Sequence, residues 1–145
     1  MKKIVIFLSS LILTAGIASA YPSTYDEGVL LRAGPSEVDE VKIDLPRNYP
    51  LRILKRNGSW ALVTDWLNCR GWVESNLITG ESTGVVRRSN VTLRSGPGTR
   101  YSRRSKLYQG TIVKLLGKKG VWYKILVIDG PEQIEGWLHG KFLWG

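Results

Sequence analysis

From residue 21 onward, Val, Ile, Leu, Trp and Tyr gather in short runs divided by Gly, Pro, Asn and Asp, and little of the chain reads as helix. Short apolar runs with turn residues between them predict an all-β chain. Leu51-Arg52-Ile53-Leu54-Lys55 and Trp60-Ala61-Leu62-Val63-Thr64 flank Arg56-Asn57-Gly58-Ser59, whose Asn-Gly pair tolerates positive φ at both turn positions and therefore predicts a β-hairpin. A second hairpin follows from Ile112–Leu116 and Trp122–Val127, which flank Gly117-Lys118-Lys119-Gly120 and so imply a different turn. After each hairpin come a further turn and a short strand on Gly-Trp. Glu74–Leu77 and His139–Phe142 then predict single tight turns into last strands, Leu77-Ile78-Thr79 and Phe142-Leu143-Trp144. Gly80-Glu81-Ser82-Thr83-Gly84 reads as a linker, too short to let the halves move far apart.

The two halves are copies. Leu31-Arg32-Ala33-Gly34-Pro35 returns as Leu93-Arg94-Ser95-Gly96-Pro97 and Gly58-Ser59-Trp60 as Gly120-Val121-Trp122, both at an offset of 62; Gly71-Trp72-Val73 returns as Gly136-Trp137-Leu138 at 65. The longer turn at Asp129–Gln133, against the compact one at Asn68-Cys69-Arg70, accounts for the three extra residues.

The start of the chain has another character. Lys2 and Lys3 precede an apolar run from Ile4 to Ile17 that closes on Ala18-Ser19-Ala20, the three regions of a secretory signal peptide. Its uninterrupted apolar part is shorter than the ~20 residues that cross a bilayer. The expected mature chain starts at Tyr21 and is exported, without stable membrane insertion. The periplasm is favoured over release from the cell, because no wall-sorting tail or surface anchor is present.

Removing residues 1–20 leaves 125 residues, so each copy has little core to spare. Cys69 is the only Cys and cannot bridge within its chain; Trp60, Trp72, Trp122 and Trp137 are expected to supply buried area instead, as core or half-buried groove wall. Charge separates the copies. Residues 21–84 carry 7 Lys and Arg against 9 Asp and Glu, whereas residues 85–145 carry 12 against 3. The second copy, at +9, is the one expected to meet an anionic partner.

Asn90-Val91-Thr92-Leu93-Arg94-Ser95-Gly96-Pro97-Gly98-Thr99-Arg100-Tyr101, followed by a Gly-x-Trp strand and Gly-Trp-Leu, resembles the bacterial SH3-like (SH3b) domain family. Residues 85–145 match it closely. Residues 21–80 match more loosely, with Asp39 where Tyr101 aligns. The resemblance implies two tandem small five-stranded SH3-like barrels, strongly bent and used for binding. It also implies a group of exported tandem SH3b proteins without a catalytic module, with cell-wall peptidoglycan or an associated anionic envelope component as ligand. A protein-protein adaptor or inhibitor acting on an envelope protein is the rival reading.

Within that frame the candidate ligand-binding residues are Arg94, Arg100, Tyr101, Trp122 and Tyr123 in the second copy, with Trp60 and Trp66 in the first. Tyr123 lies on the strand face opposite Trp122 and is preferred for the groove. Arg94 has two readings, a structural partner for loop carbonyls and a ligand contact. Arg87, Arg88, Arg100, Arg103, Arg104 and Lys106 offer a basic rim for carboxylate or phosphate. Catalysis is not expected. His139 and Cys69 are single and fall in different copies, no Gly-x-Ser-x-Gly elbow is present, and no cluster has metal-ligand spacing. No cofactor or metal is implied, and export argues against nucleic acid.

Overall fold

The computed structural model describes residues 21–78, 81–128 and 132–145; the expected signal segment, residues 1–20, lies outside them. The first sheet comprises β1 (Val29–Arg32), β2 (Val41–Leu45), β3 (Arg52–Asn57), β4 (Trp60–Thr64) and β5 (Arg70–Glu74), antiparallel in the order β2-β1-β5-β4-β3. The second comprises β6 (Thr83–Val86), β7 (Val91–Arg94), β8 (Arg103–Leu107), β9 (Ile112–Lys119), β10 (Trp122–Val127), β11 (Ile134–His139) and β12 (Leu143–Trp144). Its order is β12-β6-β9-β10-β11-β7-β8. Strands β7 to β11 repeat β1 to β5, so the fold is two tandem β units, all-β as the residue pattern predicts.

Backbone conformation repeats with the sequence. Gly28 and Asn90 both have positive φ, as do Asn48 and Gly110, and Gly58 and Gly120. Each pair lies 62 residues apart. Gly and Asn are the residues that adopt the left-handed region at least cost, and they exchange places at two of these corners. Single 3₁₀ turns at Ser75–Leu77 and Gly140–Phe142 form where tight turns are expected.

Two expectations about turns and linker are corrected. Asn57 pairs with Trp60 and Lys119 with Trp122, so both hairpins close on two residues, Gly58-Ser59 and Gly120-Val121. Positive φ occurs only at the first of the two, as in type II′ turns, and the second hairpin therefore rebuilds the same turn. Gly117 to Lys119 belong to β9. Thr83 and Gly84 are likewise not linker. They open β6, whose four residues are all buried between β9 and β12. Ser, Thr and Gly have the composition of a loop, but burial of Val85 and Val86 carries the segment into the sheet.

Both cores are aliphatic. Val29, Leu31, Leu45, Leu51, Ala61, Val63 and Val73 fill the first; Val86, Val91, Leu93, Leu107, Val113, Leu115, Ile125, Val127, Leu138 and Leu143 fill the second. All six Trp residues are half-buried rather than core. Period-two alternation explains this. In β5 Gly71 and Val73 point inward while Trp72 and Glu74 point outward, and in β4 Ala61 and Val63 point inward while Trp60 and Leu62 do not.

The two sheets are joined by more than the linker. Tyr21 pairs with Thr83 at the start of β6 and packs its ring on Trp144, with centroids 4.7 Å apart, while Ser23 and Thr24 bridge to Pro50 and Ile78 of the first domain. The segment from Tyr21 to Thr24 thus touches both domains. Trp66 of the first lies beside Gly110 of the second.

Candidate functional site

The loop that follows β1 and its copy after β7 are built alike. Ser36 N–H donates to Gly34 O and Asp39 N–H to Ser36 O; Gly98 N–H donates to Gly96 O and Tyr101 N–H to Gly98 O. Arg32 Nη1 donates to Asp39 O at 2.9 Å, and Arg94 Nη1 donates to Thr99 O at 2.9 Å and Tyr101 O at 3.1 Å. The arginine therefore fastens this loop to the sheet in both domains. Tyr101 lies over Gly96 and Gly98, and Asp39 lies over Gly34 in the same way. A Cβ at Gly34 would stand 2.5 Å from Asp39 Oδ2, so the glycine is what admits the loop side chain.

Outward-facing residues of β4, β5, β10 and β11 line up across the sheets. Trp60 stands opposite Glu74, and Trp122 opposite His139; Trp72 pairs with Arg32, and Trp137 with Arg94. In the second domain these strands, with the loop before β7 and the 3₁₀ turn, enclose a groove of about 450 Å³. Arg88, Arg94, Lys141, His139, Trp122 and Phe142 give it its chemistry, and no lining residue is acidic. The His139 ring meets Trp122 edge-on at 5.5 Å and Phe142 at 6.3 Å. Its Nδ1 accepts the Lys141 N–H at 3.0 Å, so the neutral ring carries its hydrogen on Nε2. The result is a small concave surface with aromatic walls and three permanent cations, suited to an anion with an apolar neighbour.

The structure brings Arg94 and Trp122 together in this groove; one Arg94 nitrogen holds the loop, as the structural reading expects, and the side chain also lines the groove. Arg100 and Tyr101 lie outside it at the loop tip, where the Arg100 guanidinium sits 5.9 Å from the Tyr101 ring. Tyr123 is also outside. It shares the inward face of β10 with Ile125 and Val127, packs against the core and lies over Gly140, with the Lys118 ammonium 5.2 Å from its ring. Trp122, not Tyr123, is the groove residue of that strand. Sequence reasoning singled out neither Lys141 nor Phe142 for the groove. The signal was available, since the tight turn after β11 follows directly from the strand that carries His139. Of the expected basic rim, Arg88 lines the groove and Arg104 donates to Glu135 O at 2.7 Å.

Trp60 occupies the position of Trp122, flanked by open depressions of about 800 and 110 Å³ that share Glu74. Trp66 lies elsewhere, in the cleft between the domains with Tyr49, Leu67, Ile112 and Ile128. Beside it is a buried cluster that the sequence pattern did not indicate. Asp65, 1% exposed, accepts the Tyr49 hydroxyl at 2.8 Å on Oδ2 and the Leu67 and Cys69 N–H groups at 3.0 and 2.7 Å on Oδ1. Burial and then the Asp65 carboxylate push the Tyr49 phenol well above its ordinary value of 10.0, while the side chain of Trp66 acts in the opposite sense. A phenol whose folded pKa is raised contributes stability that is complete below the unfolded value and is lost as pH rises toward the folded one. The melting temperature of the first domain is therefore expected to hold up to pH 10.0 and to fall above it, and Tyr49→Phe should reduce that alkaline fall. Circular dichroism melts from neutral to alkaline pH check both.

Comparison with known proteins assigns the fold to a family. Residues 25–80 and residues 89–143 each match a family described as the bacterial SH3 domain. The chain belongs to the bacterial SH3 domain family. Among curated proteins it is similar to one from Bacillus subtilis (strain 168) named "Putative N-acetylmuramoyl-L-alanine amidase YrvJ", 27% identical over 96% of the chain but only 29% of that protein. Among solved structures it is similar to NlpC2 from Trichomonas vaginalis, 14% identical over 88% of this chain and 48% of that one, at a TM-score of 0.37. A Bacillus cereus ATCC 10987 protein of the NlpC/P60 family is 13% identical over 85% of this chain and 55% of that one, at 0.36. The SH3b pair thus spans less than a third of the curated relative and about half of the two structures.

Proposed function

We propose that the chain is an exported, non-catalytic SH3b pair that binds cell-wall peptidoglycan or an associated anionic envelope component through its second domain. The observation that carries this reading is the second groove, in which Trp122, Phe142 and three cations face one concave surface without an acidic residue. Peptide stems and polymers of a cell envelope offer carboxylates and phosphates beside apolar or sugar faces, and this surface suits both parts. The curated relative, named for an activity on a muramoyl-L-alanine bond, agrees with such a partner. A non-catalytic role is supported by the separation of the residues a nucleophilic mechanism would use. The Cys69 N–H belongs to the Asp65 turn of the first domain and His139 to the second. Among the described residues no helix is long and apolar enough to cross a membrane.

Trp122→Ala tests the reading. Its loss should lower retention of the mature chain by purified sacculi at least about tenfold, the effect expected of a central aromatic anchor. Trp66→Ala, in the interdomain cleft, should leave retention unchanged. Equal retention by Trp122→Ala and the parent chain, with both folded, would remove the groove from the account.

A further inference from the structure

The two grooves are one construction with the charge changed. Arg94 and Trp122 of the second domain correspond to Arg32 and Trp60 of the first, and Phe142 corresponds to Leu77, so the frame is kept. What differs is ionic. Glu74 stands opposite Trp60 where His139 stands opposite Trp122, and Asn76 takes the place of Lys141. Asp26 takes the place of Arg88, and its carboxylate is held by Arg47 at 2.7 Å. Glu37, on the other side of Trp60, makes that surface more acidic still.

In the second groove the cations are not all loose surface charges. Arg94 is fixed by its bonds to two carbonyls of the loop, so ordering its guanidinium around a ligand costs little further side-chain entropy. The His139 ring is fixed by the Lys141 N–H and by two aromatic neighbours, leaving Nε2–H as a directed donor. A planar carboxylate matches a guanidinium better than it matches a point charge. Beside it Val91, Trp122 and Phe142 provide apolar surface, and about 450 Å³ has room for a residue or two.

We propose that the second groove recognises the free terminal carboxylate of a short peptide. Arg88, Arg94 and Lys141 hold the carboxylate, and the adjoining alkyl group lies against Trp122 and Phe142. The first groove, with Glu74 and Glu37 beside Trp60, repels the same group. This assignment rests on the envelope-binding reading for the place of the site, while its chemistry is read from the groove alone.

The test uses the full mature chain and three probes, acetyl-Ala-Ala with a free carboxylate, the same dipeptide as its terminal amide, and inorganic phosphate. Binding is followed by the indole and amide signals of Trp122 and His139 in two-dimensional nuclear magnetic resonance. The free acid should shift these signals saturably, and the amide should bind at least about tenfold more weakly. Phosphate should not reproduce the peptide shifts at Trp122. Arg88→Asp with Lys141→Asn, which installs the first domain's residues, should weaken the acid at least about tenfold at an unchanged melting temperature. Equal binding of acid and amide, an undiminished affinity in the double variant, or shifts centred on Trp60 would overturn the proposal. Phosphate matching the acid would also overturn it, by assigning the groove to a phosphate polymer. Sacculi retained without any response to the acid would defeat this assignment alone; a response to the acid without retention by sacculi would defeat the wall-binding reading and leave the carboxylate site standing.

Discussion

Gly136→Ala is expected to unfold the second domain at temperatures where the parent chain is intact. A Cβ at this position would stand 2.6 Å from Leu93 Cγ and 2.8 Å from the backbone oxygen of Arg94. The side chain of Leu93 could turn away, but the carbonyl belongs to β7, which pairs with β11 at Arg94 and Trp137. Moving it disturbs the strand crossing that closes the domain. Overpacking of this kind costs about 3 kcal/mol, a large part of the stability available to a domain of this size. The melting temperature should fall by about 15 °C, since each kcal/mol shifts a small domain by several degrees. Gly71→Ala should act likewise on the first domain, where a Cβ would meet Arg32 O and Leu31 Cγ, each at 2.7 Å. The repeated Gly-Trp is therefore a packing device: the glycine admits the crossing strand and the next residue projects a Trp to the other face. Differential scanning calorimetry checks it, and unchanged melting of either variant would show that the crossing is looser than described.

Asp65→Ala should destabilise the first domain by about 3 to 4 kcal/mol. The carboxylate is buried and serves three donors, so the truncation leaves the Tyr49 hydroxyl and two backbone N–H groups without an acceptor. Asp65→Asn should be much milder. Its amide oxygen can accept from Leu67 and Cys69 while its NH₂ donates to the Tyr49 oxygen, at a cost of about 1 kcal/mol. Urea denaturation followed by tryptophan fluorescence separates the two. Equal losses for Ala and Asn would mean that the charge, rather than the set of acceptors, carries the contribution.

The repeated landmarks placed the hairpins, the Gly-Trp strands and the tight turns, because each depends on a few residues with narrow conformational or packing demands. Strands β2 and β8 were not legible in the same way. Lys42 and Asp44 in one, and Arg103, Arg104 and Lys106 in the other, give charged edge strands whose only buried residue is the last, Leu45 or Leu107. Such strands resist pairing with other chains and carry little hydrophobic pattern. At the candidate site, strand alternation separated Trp122 from Tyr123 but was applied to the wrong member. Ile125 and Val127, on the same face as Tyr123, identify the inward side, whereas Lys124 accompanies Trp122 outward. The Asp65 cluster depends on Tyr49, 16 positions earlier, and a hydrogen bond between side chains that distant leaves no periodic trace. Thr83 and Gly84 resemble linker until the strands on either side are known.

Under the proposed function the second domain attaches the chain to the cell wall by a specific groove rather than by its charge of +9. Sedimentation of the mature chain with purified peptidoglycan sacculi at low and high salt tests this most directly. Screening removes long-range attraction between exposed charges but weakens contacts within a partly enclosed groove much less. Attachment by the groove should give saturable sedimentation that persists at high salt. No sedimentation, or binding abolished by salt, would contradict it.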